Sequence, residues 1–301
     1  MRYFYQNIIN KFNLLKLCIY QKQLIGFQKY NPIFIVSAGR SGSTLLRRLL
    51  MQHFKISIPP ETYDFIPTFY TFYINNQKKS WNELSLTLSG IYNSHYFSKD
   101  WHIQEIEVRD VLLKLPSDRR NLNSAIEAIY LLYNSKHGIG QDLNTWGDKT
   151  PYLIYYLDWL NLIFPNCKII NIVRDPIDVV SSRVKNFNES VEEAVLRWKS
   201  SQRSAIKYKK KNNNIIFIRY EDLTTSPDFI YRDLENFLGI KFIPTSDQPI
   251  LMDDNFQHHK NVREEVTSKY VGKGASFLSQ NEVEFINKKL GKYLKYFNYI
   301  N

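Results

Sequence analysis

The sequence predicts an α/β fold in which helices cover both faces of a central parallel sheet. Three short apolar runs rich in β-branched residues, at residues 32–38, 167–173 and 214–219, have the composition of buried strands. Each run is followed by a segment with helical periodicity. Strands that alternate with helices form parallel sheets through right-handed crossovers, so we expect three layers.

The composition is that of a globular chain with a substantial core. Of its 301 residues, 44% are hydrophobic and 15% are aromatic, which excludes a disordered or collagen-like protein. Two cysteines, Cys18 and Cys167, are too few for a disulfide framework or a cysteine-based zinc site. The six histidines show no metal-ligand spacing, so no metal is expected.

The formal net charge of +11 is concentrated near the start of the sequence. Residues 1–60 contain nine basic side chains and no acidic one, and the first carboxylate is Glu61. Such an excess indicates an anionic partner. A lysine cluster at residues 207–211 is interpreted as the end of a helix, where cations complement the helix dipole, so nucleic acid is not expected as a partner.

The chain is predicted to form one domain with an extension. Residues 1–30 are expected to form an N-terminal amphipathic helical extension, which either docks on the domain or makes weak contact with an anionic membrane surface. Neither a transmembrane segment nor a cleavable leader is found, so a cytoplasmic location is expected. Residues 31–301 form the predicted single domain, with a mostly helical insertion at about residues 62–163. The oligomeric state stays open.

The turn after the first predicted strand has the properties of an anion-binding loop, and a helix is predicted to follow at residues 44–54. Glycine and serine let backbone N–H groups converge on an anion, and the helix N-terminus adds partial positive charge. Arginine adds a permanently charged fork that suits phosphate or sulfate oxygens. The alternative is an ordinary strand-to-helix turn with a chance arginine. The six candidate residues are Gly39, Arg40, Ser41, Gly42, Ser43 and Thr44.

This loop differs from the Walker A pattern GxxxxGK[ST]. Gly42 is followed by Ser43 instead of lysine, and Arg174 stands after the second predicted strand where a magnesium-binding acid would be expected. Both differences argue against nucleoside triphosphate hydrolysis and phosphoryl transfer. We therefore expect the loop to bind a doubly anionic group that needs no metal.

The second predicted strand leads into another candidate phosphate contact. Asp175 and Pro176 are expected to cap and start the helix that follows Arg174. Ser182 lies eight residues after Arg174, in the second turn of that helix. Because parallel strands end at one edge of a sheet, Arg174 and Ser182 are expected to meet one phosphate in the crevice beside the first loop.

Together these residues resemble the sulfotransferases that use 3′-phosphoadenosine 5′-phosphosulfate (PAPS). The segment GRSGSTLL at residues 39–46 resembles the family's 5′-phosphosulfate loop, and IVRDPIDVVSS at residues 172–182 resembles its 3′-phosphate signature. The resemblance implies a P-loop NTPase-like fold, PAPS as sulfuryl donor and a hydroxyl-bearing acceptor. It is weakest at residues 65–140, and Gly39 stands where the family often has proline.

Three further residues have roles that the resemblance implies. Tyr220, in YEDL, resembles a tyrosine near the nucleotide, and Lys269, in SKYVGKG, is implied as a cofactor contact in a C-terminal basic loop. Lys149, in GDKTP, resembles the lysine of the tyrosylprotein and carbohydrate-type branch, where it would help Arg40 or neutralise the leaving phosphate. A lysine in a solvated surface turn is the alternative for Lys149.

Glu61 is the candidate base that would take the proton of the acceptor hydroxyl. It follows two prolines and matches the branch of the family in which a glutamate has this role. The alternative is a helix-capping or ion-paired glutamate. Cytosolic small-molecule sulfotransferases use a histidine instead, but the spacing singles out none of the six histidines here. The base therefore stays open between Glu61 and a histidine.

Two other functions remain compatible with such a fold. One is a P-loop kinase that uses ATP, against which the missing Gly-Lys pair argues. The other is a non-catalytic member of the fold that binds nucleotide or glycan. The acceptor of a transferase also stays open, among a glycan, a small alcohol, a phenol and a peptidyl tyrosine.

Overall fold

The structure is a computed structural model that describes residues 25–26, 28–94, 100–137, 142–244 and 266–300. The chain divides into two compact units. The first, here called the sheet unit, comprises residues 33–58, 147–157 and 168–301, and the second, the helical unit, comprises residues 1–32, 59–146 and 158–167. Most of the predicted N-terminal helix at residues 1–30 lies outside the described residues, and the single-domain assignment stays a prediction.

A five-stranded sheet forms the centre of the sheet unit, in the strand order β2-β3-β1-β4-β5. The strands are β1 (Ile33–Ser37), β2 (Ile56–Ser57), β3 (Thr145–Lys149), β4 (Lys168–Val173) and β5 (Ile215–Arg219). Strand β1 pairs in parallel with both β3 and β4, and β4 pairs in parallel with β5. The α/β fold class with a central parallel sheet is thereby confirmed, and β1, β4 and β5 are the three predicted strands.

Helices account for most of the remaining structure. In the described residues they are α1 (Ser43–Phe54), α2 (Phe65–Asn75), α3 (Trp81–Ser94), α4 (Glu105–Leu113), α5 (Leu122–His137), α6 (Leu157–Ile163), α7 (Pro176–Phe187), α8 (Val191–Lys209), α9 (Tyr220–Thr225), α10 (Pro227–Leu238) and α11 (Gln280–Tyr296). Capping boxes start α8 at Ser190 and α11 at Ser279. Helix α8 ends at the predicted lysine cluster.

The core of the sheet unit explains how these elements hold together. All five residues of β1 are buried, as expected of a central strand. Val173, Val180 and Leu290 belong to a buried cluster that packs the end of β4 with helices α7, α8 and α11. The indole of Trp198 in the same cluster donates a hydrogen bond to the backbone oxygen of Arg174 (3.1 Å). The core therefore fixes the end of β4, where a candidate site residue stands.

Strands β2 and β3 were not predicted. The mostly helical insertion predicted at about residues 62–163 contains β3, which pairs Gly147 with Ile33 and Lys149 with Ile35 of β1. A Cβ atom at position 147 would lie 2.5 Å from the backbone oxygen of Ile33. Glycine therefore permits the close approach of the two backbones here, and tertiary pairing overrides a weak local strand pattern.

The helical unit has its own aromatic core. The Phe69 and Trp159 rings lie 4.4 Å apart between centroids, and the buried Trp101 donates its indole N–H to the backbone oxygen of Pro60 (3.0 Å). The buried carboxylate of Glu127 is paired with Arg119 at 2.9 Å and accepts from the backbone N–H of Tyr30. This unit is thus a packed body and not a surface loop.

In the part of the chain that the structure describes, no helix combines the length and the apolar character that crossing a membrane would require.

Candidate functional site

The loop between β1 and α1 has an unusual backbone. Gly39, Arg40 and Gly42 all have positive φ, at 76°, 57° and 89°. For Arg40 this conformation costs about 1 kcal/mol, and such strain is typical of functional loops. Proline, which the family often has at position 39, cannot adopt a positive φ, so the glycine suits the observed loop. No side chain of the described residues caps α1, which leaves its first-turn N–H groups available to an anion.

Arg40 connects this loop to the helix after the neighbouring strand. Its Nε donates a hydrogen bond to the hydroxyl of Ser182 (3.1 Å), and its guanidinium lies over the Phe187 ring, 5.8 Å from the centroid. Ser182 and Phe187 both belong to α7, which follows β4. Since β1 and β4 are paired in parallel, the two predicted anion-binding segments lie side by side at one edge of the sheet.

Arg174 leaves the end of β4 and is held on two sides. Its guanidinium lies 4.4 Å from the centroid of the Tyr220 ring, and its Nη2 is paired with Asp178 at 2.9 Å. Burial raises the pKa of Tyr220, so its phenol stays protonated at neutral pH. The ring also packs against the loop, because a methyl group at Gly42 would overlap it. Tyr220 therefore joins both predicted phosphate elements.

The C-terminal segment that contains Lys269 lies beside Arg174. Lys269 lies in a 3-10 turn at Ser268–Tyr270, and the backbone oxygen of Tyr270 accepts a hydrogen bond from Arg174 Nη2 (2.5 Å). The Lys269 ammonium lies 4.9 Å from the centroid of the Tyr270 ring. The structure thus brings the predicted C-terminal contact beside Arg174, although Ser182 bonds to Arg40 and not to Arg174.

The start of α7 is fixed by a polar network. The Asp175 side chain caps the helix by accepting from the backbone N–H of Ile177 (2.7 Å), as the sequence predicts. The Asp175 N–H donates to Glu221 (2.9 Å), which also accepts from the hydroxyl of Tyr299 (2.8 Å). Burial raises the pKa of the Asp175 carboxyl to about 6, and burial together with Glu221 raises the pKa of Tyr299.

Lys149 ends β3 beside β1. It pairs with Ile35 in the parallel register, and only 2% of the residue is exposed. The alternative of a lysine in a solvated surface turn is therefore wrong. A buried ammonium at this edge of the sheet lies at the same end of β1 as the loop that starts after Ser37.

Glu61 belongs to the helical unit, where its carboxylate accepts a hydrogen bond from the Tyr63 hydroxyl (3.1 Å). Its assignment as the base stays a prediction. Among the described histidines, His53 Nδ1 lies 3.1 Å from the backbone oxygen of Ile243, and His137 Nε2 lies 2.8 Å from that of Trp101. The His102 ring lies 6.1 Å from that of His137 between centroids. His95, His258 and His259 lie outside the described residues.

The sequence analysis missed Asp178, a buried acceptor that the site uses. An aspartate in the first turn of a helix is ordinarily interpreted as a solvated partner of the helix dipole, so its spacing gave no signal. Among the described residues, no group of three or more histidine, cysteine, aspartate or glutamate side chains is arranged to hold a metal ion.

Comparison with known proteins agrees with this geometry. A family model described as "Sulfotransferase family" matches residues 32–244. The chain is 24% identical over 218 residues to the "Putative protein-tyrosine sulfotransferase" of Caenorhabditis briggsae, a match that covers 70% of this chain and 66% of that protein. The chain therefore spans slightly less than two thirds of that relative.

Two solved structures share the fold. The sulfotransferase domain from the curacin biosynthetic pathway has a TM-score of 0.55 at 20% identity, covering 88% of this chain and 99% of that chain. The sulfotransferase domain from the Synechococcus PCC 7002 olefin synthase has a TM-score of 0.53 at 20% identity, covering 89% and 98%. The family model matches most of the chain's length, including the strand, loop and helix around the predicted anion-binding segment, so this chain belongs to the sulfotransferase family.

Proposed function

We propose that this chain transfers the sulfuryl group of PAPS to an acceptor hydroxyl. The observation that carries the proposal is the hydrogen bond from Arg40 Nε to the Ser182 hydroxyl, 3.1 Å long. It joins the loop after β1 to the helix after β4, so the two predicted anion-binding segments are in direct contact. A nucleotide with phosphate groups at both its 5′ and its 3′ end needs two such segments.

The residues present fit the donor. In the described residues, the two N–H groups of Arg174 Nη1 have no hydrogen-bond partner, while Nε and Nη2 are engaged by Asp178 and Tyr270. The uncapped first turn of α1 offers backbone N–H groups to a second anion. We assign Arg174, Ser182 and Lys269 to the 3′-phosphate side. The 5′-phosphosulfate side is assigned to the loop Gly39, Arg40, Ser41, Gly42, Ser43 and Thr44.

PAPS, when bound, supplies an activated sulfuryl group on a phosphate leaving group. Arg40 and the loop N–H groups stabilise negative charge on the transferring group, because fixed donors in a buried site need no reorganisation during the reaction. Lys149 neutralises the leaving phosphate or shares the first task with Arg40. Glu61 accepts the proton of the acceptor hydroxyl, and Tyr220 holds Arg174 by its ring face.

The acceptor proposed for the first test is a tyrosyl hydroxyl. A relative named as a protein-tyrosine sulfotransferase matches 70% of this chain, and the GDKTP and Glu61 elements resemble the tyrosylprotein and carbohydrate-type branch. Glycans, small alcohols and free phenols are the other arms of the same screen. A cytoplasmic location remains part of the proposal.

The test is a transfer assay with labelled PAPS and four acceptor classes, each tested at several concentrations. We expect label on a tyrosyl peptide, and none on the matched peptide that carries phenylalanine in place of tyrosine. Label on a glycan or a small alcohol alone would show that the acceptor belongs to that class and is not a tyrosyl hydroxyl. A failure to label any acceptor, with adenosine 3′,5′-bisphosphate bound normally, would favour the non-catalytic alternative.

A further inference from the structure

Asp178 is a buried carboxylate to which two segments of the site are bound. It stands in the first turn of α7, and 2% of its side chain is exposed. Its Oδ2 accepts from Arg174 Nη2 (2.9 Å) and from the backbone N–H of Gly272 (3.0 Å), and its Oδ1 accepts from that of Gly274 (2.7 Å). A buried carboxylate with this many donors is fully satisfied and its geometry is fixed.

The C-terminal segment at residues 270–274 is shaped to lie against this carboxylate. Gly272 has φ 73°, a conformation that favours glycine. A Cβ atom at Gly274 would lie 2.6 Å from the backbone oxygen of Ile177 and 2.8 Å from the backbone nitrogen of Asp178. The segment therefore needs glycine at both positions to contact the first turn of α7.

The same carboxylate determines which edge of Arg174 is exposed to a ligand. Oδ2 of Asp178 lies 3.3 Å from Nε and 2.9 Å from Nη2, and Nη2 also donates to the backbone oxygen of Tyr270. The ring of Tyr220 covers one face of the guanidinium. Only the Nη1 edge has no partner among the described residues, so Asp178 holds the guanidinium with that edge turned to a ligand.

We propose that Asp178 is a positioning residue that makes Arg174 and the segment at residues 270–274 a single 3′-phosphate-binding element. The inference rests on the proposed function and deepens it, because it explains how a ligand contact after β4 and a segment about a hundred residues later act together. Asp178 itself touches no ligand in this account. Its effect is transmitted through Arg174 and through the backbone of residues 270–274.

If Asp178 acted only through its charge, removing this carboxylate would strengthen the binding of a phosphate ligand. Asp178 places a negative charge beside the proposed phosphate site, so its neutralisation would by Coulomb's law strengthen the binding of an anion. If Asp178 positions Arg174, the same neutralisation weakens binding instead. The sign of the change therefore separates the positioning role from a purely electrostatic one.

The experiment titrates the full chain calorimetrically with adenosine 3′,5′-bisphosphate and with adenosine 5′-monophosphate. For Asp178→Asn we expect the Kd of the bisphosphate to rise about tenfold or more, and that of the monophosphate by about threefold or less. Asp228→Asn is the matched control, because Asp228 also lies in a helix first turn, next to the proline that starts α10, and is exposed. We expect this control to bind both ligands as the wild type does.

Gly274→Ala is the second variant, which keeps the carboxylate and moves the segment away from α7. It should give the same selective loss as Asp178→Asn, and it serves as the test if Asp178→Asn does not fold. Gly291→Ala is its control, because a Cβ atom at Gly291 in α11 would meet nothing within 4 Å.

The proposal is overturned if Asp178→Asn binds the bisphosphate as tightly as the wild type or more tightly. An equal loss for both nucleotides would also overturn it, since that pattern indicates general destabilisation. If the wild-type chain binds no bisphosphate at all, the proposed function fails, and this result differs from the two above because no variant is needed to obtain it.

Discussion

The arginines of the sheet unit differ in what surrounds each guanidinium, and this decides which of them can serve an anion. Arg47 has no exposed surface, and its Nε donates to the backbone oxygen of Ile58 (2.7 Å). Burial lowers the pKa of Arg48, which lies near Tyr231. Arg40 and Arg174, in contrast, lie in the loops that follow β1 and β4, where the anion-binding segments are predicted. The basic excess of the first 60 residues is therefore partly structural, and only part of it belongs to the proposed nucleotide site.

Glu61 is the residue whose removal should separate binding from chemistry. Glu61→Gln keeps an oxygen that can accept the hydrogen bond of Tyr63 but cannot take a proton at neutral pH. Since general base catalysis contributes about 100-fold or more, we expect kcat to fall by at least that factor. The Kd of adenosine 3′,5′-bisphosphate should stay within about twofold.

Steady-state kinetics with labelled PAPS and calorimetry measure these two quantities. Glu105→Gln is the control, because Glu105 is another half-buried glutamate of the helical unit, hydrogen-bonded to Asn93. Normal turnover by Glu61→Gln would show that another group, such as a histidine, acts as the base.

Helix α7 contributes several of the residues that form the candidate site. Its cap, Asp175, is bound to Glu221 at the start of α9, its first turn carries Asp178, and its second turn carries Ser182. Tyr299 completes this network from the end of the chain by donating to Glu221. One helix thus aligns β4, β5 and the C-terminal segment around a single edge of the sheet.

Asp175 gives this helix a predictable pH dependence. Its pKa is raised to about 6 by burial, from an ordinary value of 3.8, so between these values the folded chain holds a proton that the unfolded chain has lost. Ionisation of Asp175 therefore lowers the free energy of unfolding as the pH rises from 4 to 7, by about 3 kcal/mol at most. Below pH 4 both states are protonated and the effect disappears.

Asp175→Asn keeps the cap and removes the ionisation. We expect the variant to gain stability relative to the wild type as the pH rises through this window, by up to about 3 kcal/mol. Chemical denaturation at pH 4, 5, 6 and 7 measures the difference, with Asp228→Asn as a control that should follow the wild type. A constant difference at all four pH values would contradict the raised pKa.

Local sequence patterns were sufficient to predict some helices and strands but not others. The helical segment predicted after the third strand includes α10 (Pro227–Leu238), whose two ends are marked by proline and glycine. The segment TWGDK of β3 contains residues that disfavour strands, and it becomes a strand only by pairing with β1. Asp178 was missed for a related reason: its partners Gly272 and Gly274 lie far along the chain, so only the folded structure shows that it is buried.

At the scale of the whole molecule, the proposed nucleotide contacts belong to one compact unit. The loop at residues 39–44, Lys149, Arg174, Ser182 and Lys269 are all in the sheet unit, whereas the proposed base Glu61 is in the helical unit. The proposed nucleotide contacts can therefore be tested within the sheet unit alone, whereas the proposed base is a separate test.

The central claim is that the chain recognises a nucleotide by its 3′-phosphate, and a calorimetric titration tests it most directly. We compare adenosine 3′,5′-bisphosphate with ATP and magnesium, on the wild type, on Arg174→Ala and on the control Arg232→Ala. Arg232, like Arg174, lies over an aromatic ring, that of Phe229, but it is exposed on α10.

We predict that the wild type and Arg232→Ala bind the bisphosphate at least about tenfold more tightly than ATP with magnesium. Arg174→Ala should lose about tenfold or more of the bisphosphate affinity, because this is the usual effect of removing a charge-assisted hydrogen bond. Equal or tighter binding of ATP with magnesium, or bisphosphate binding that is unchanged in Arg174→Ala, would contradict the account.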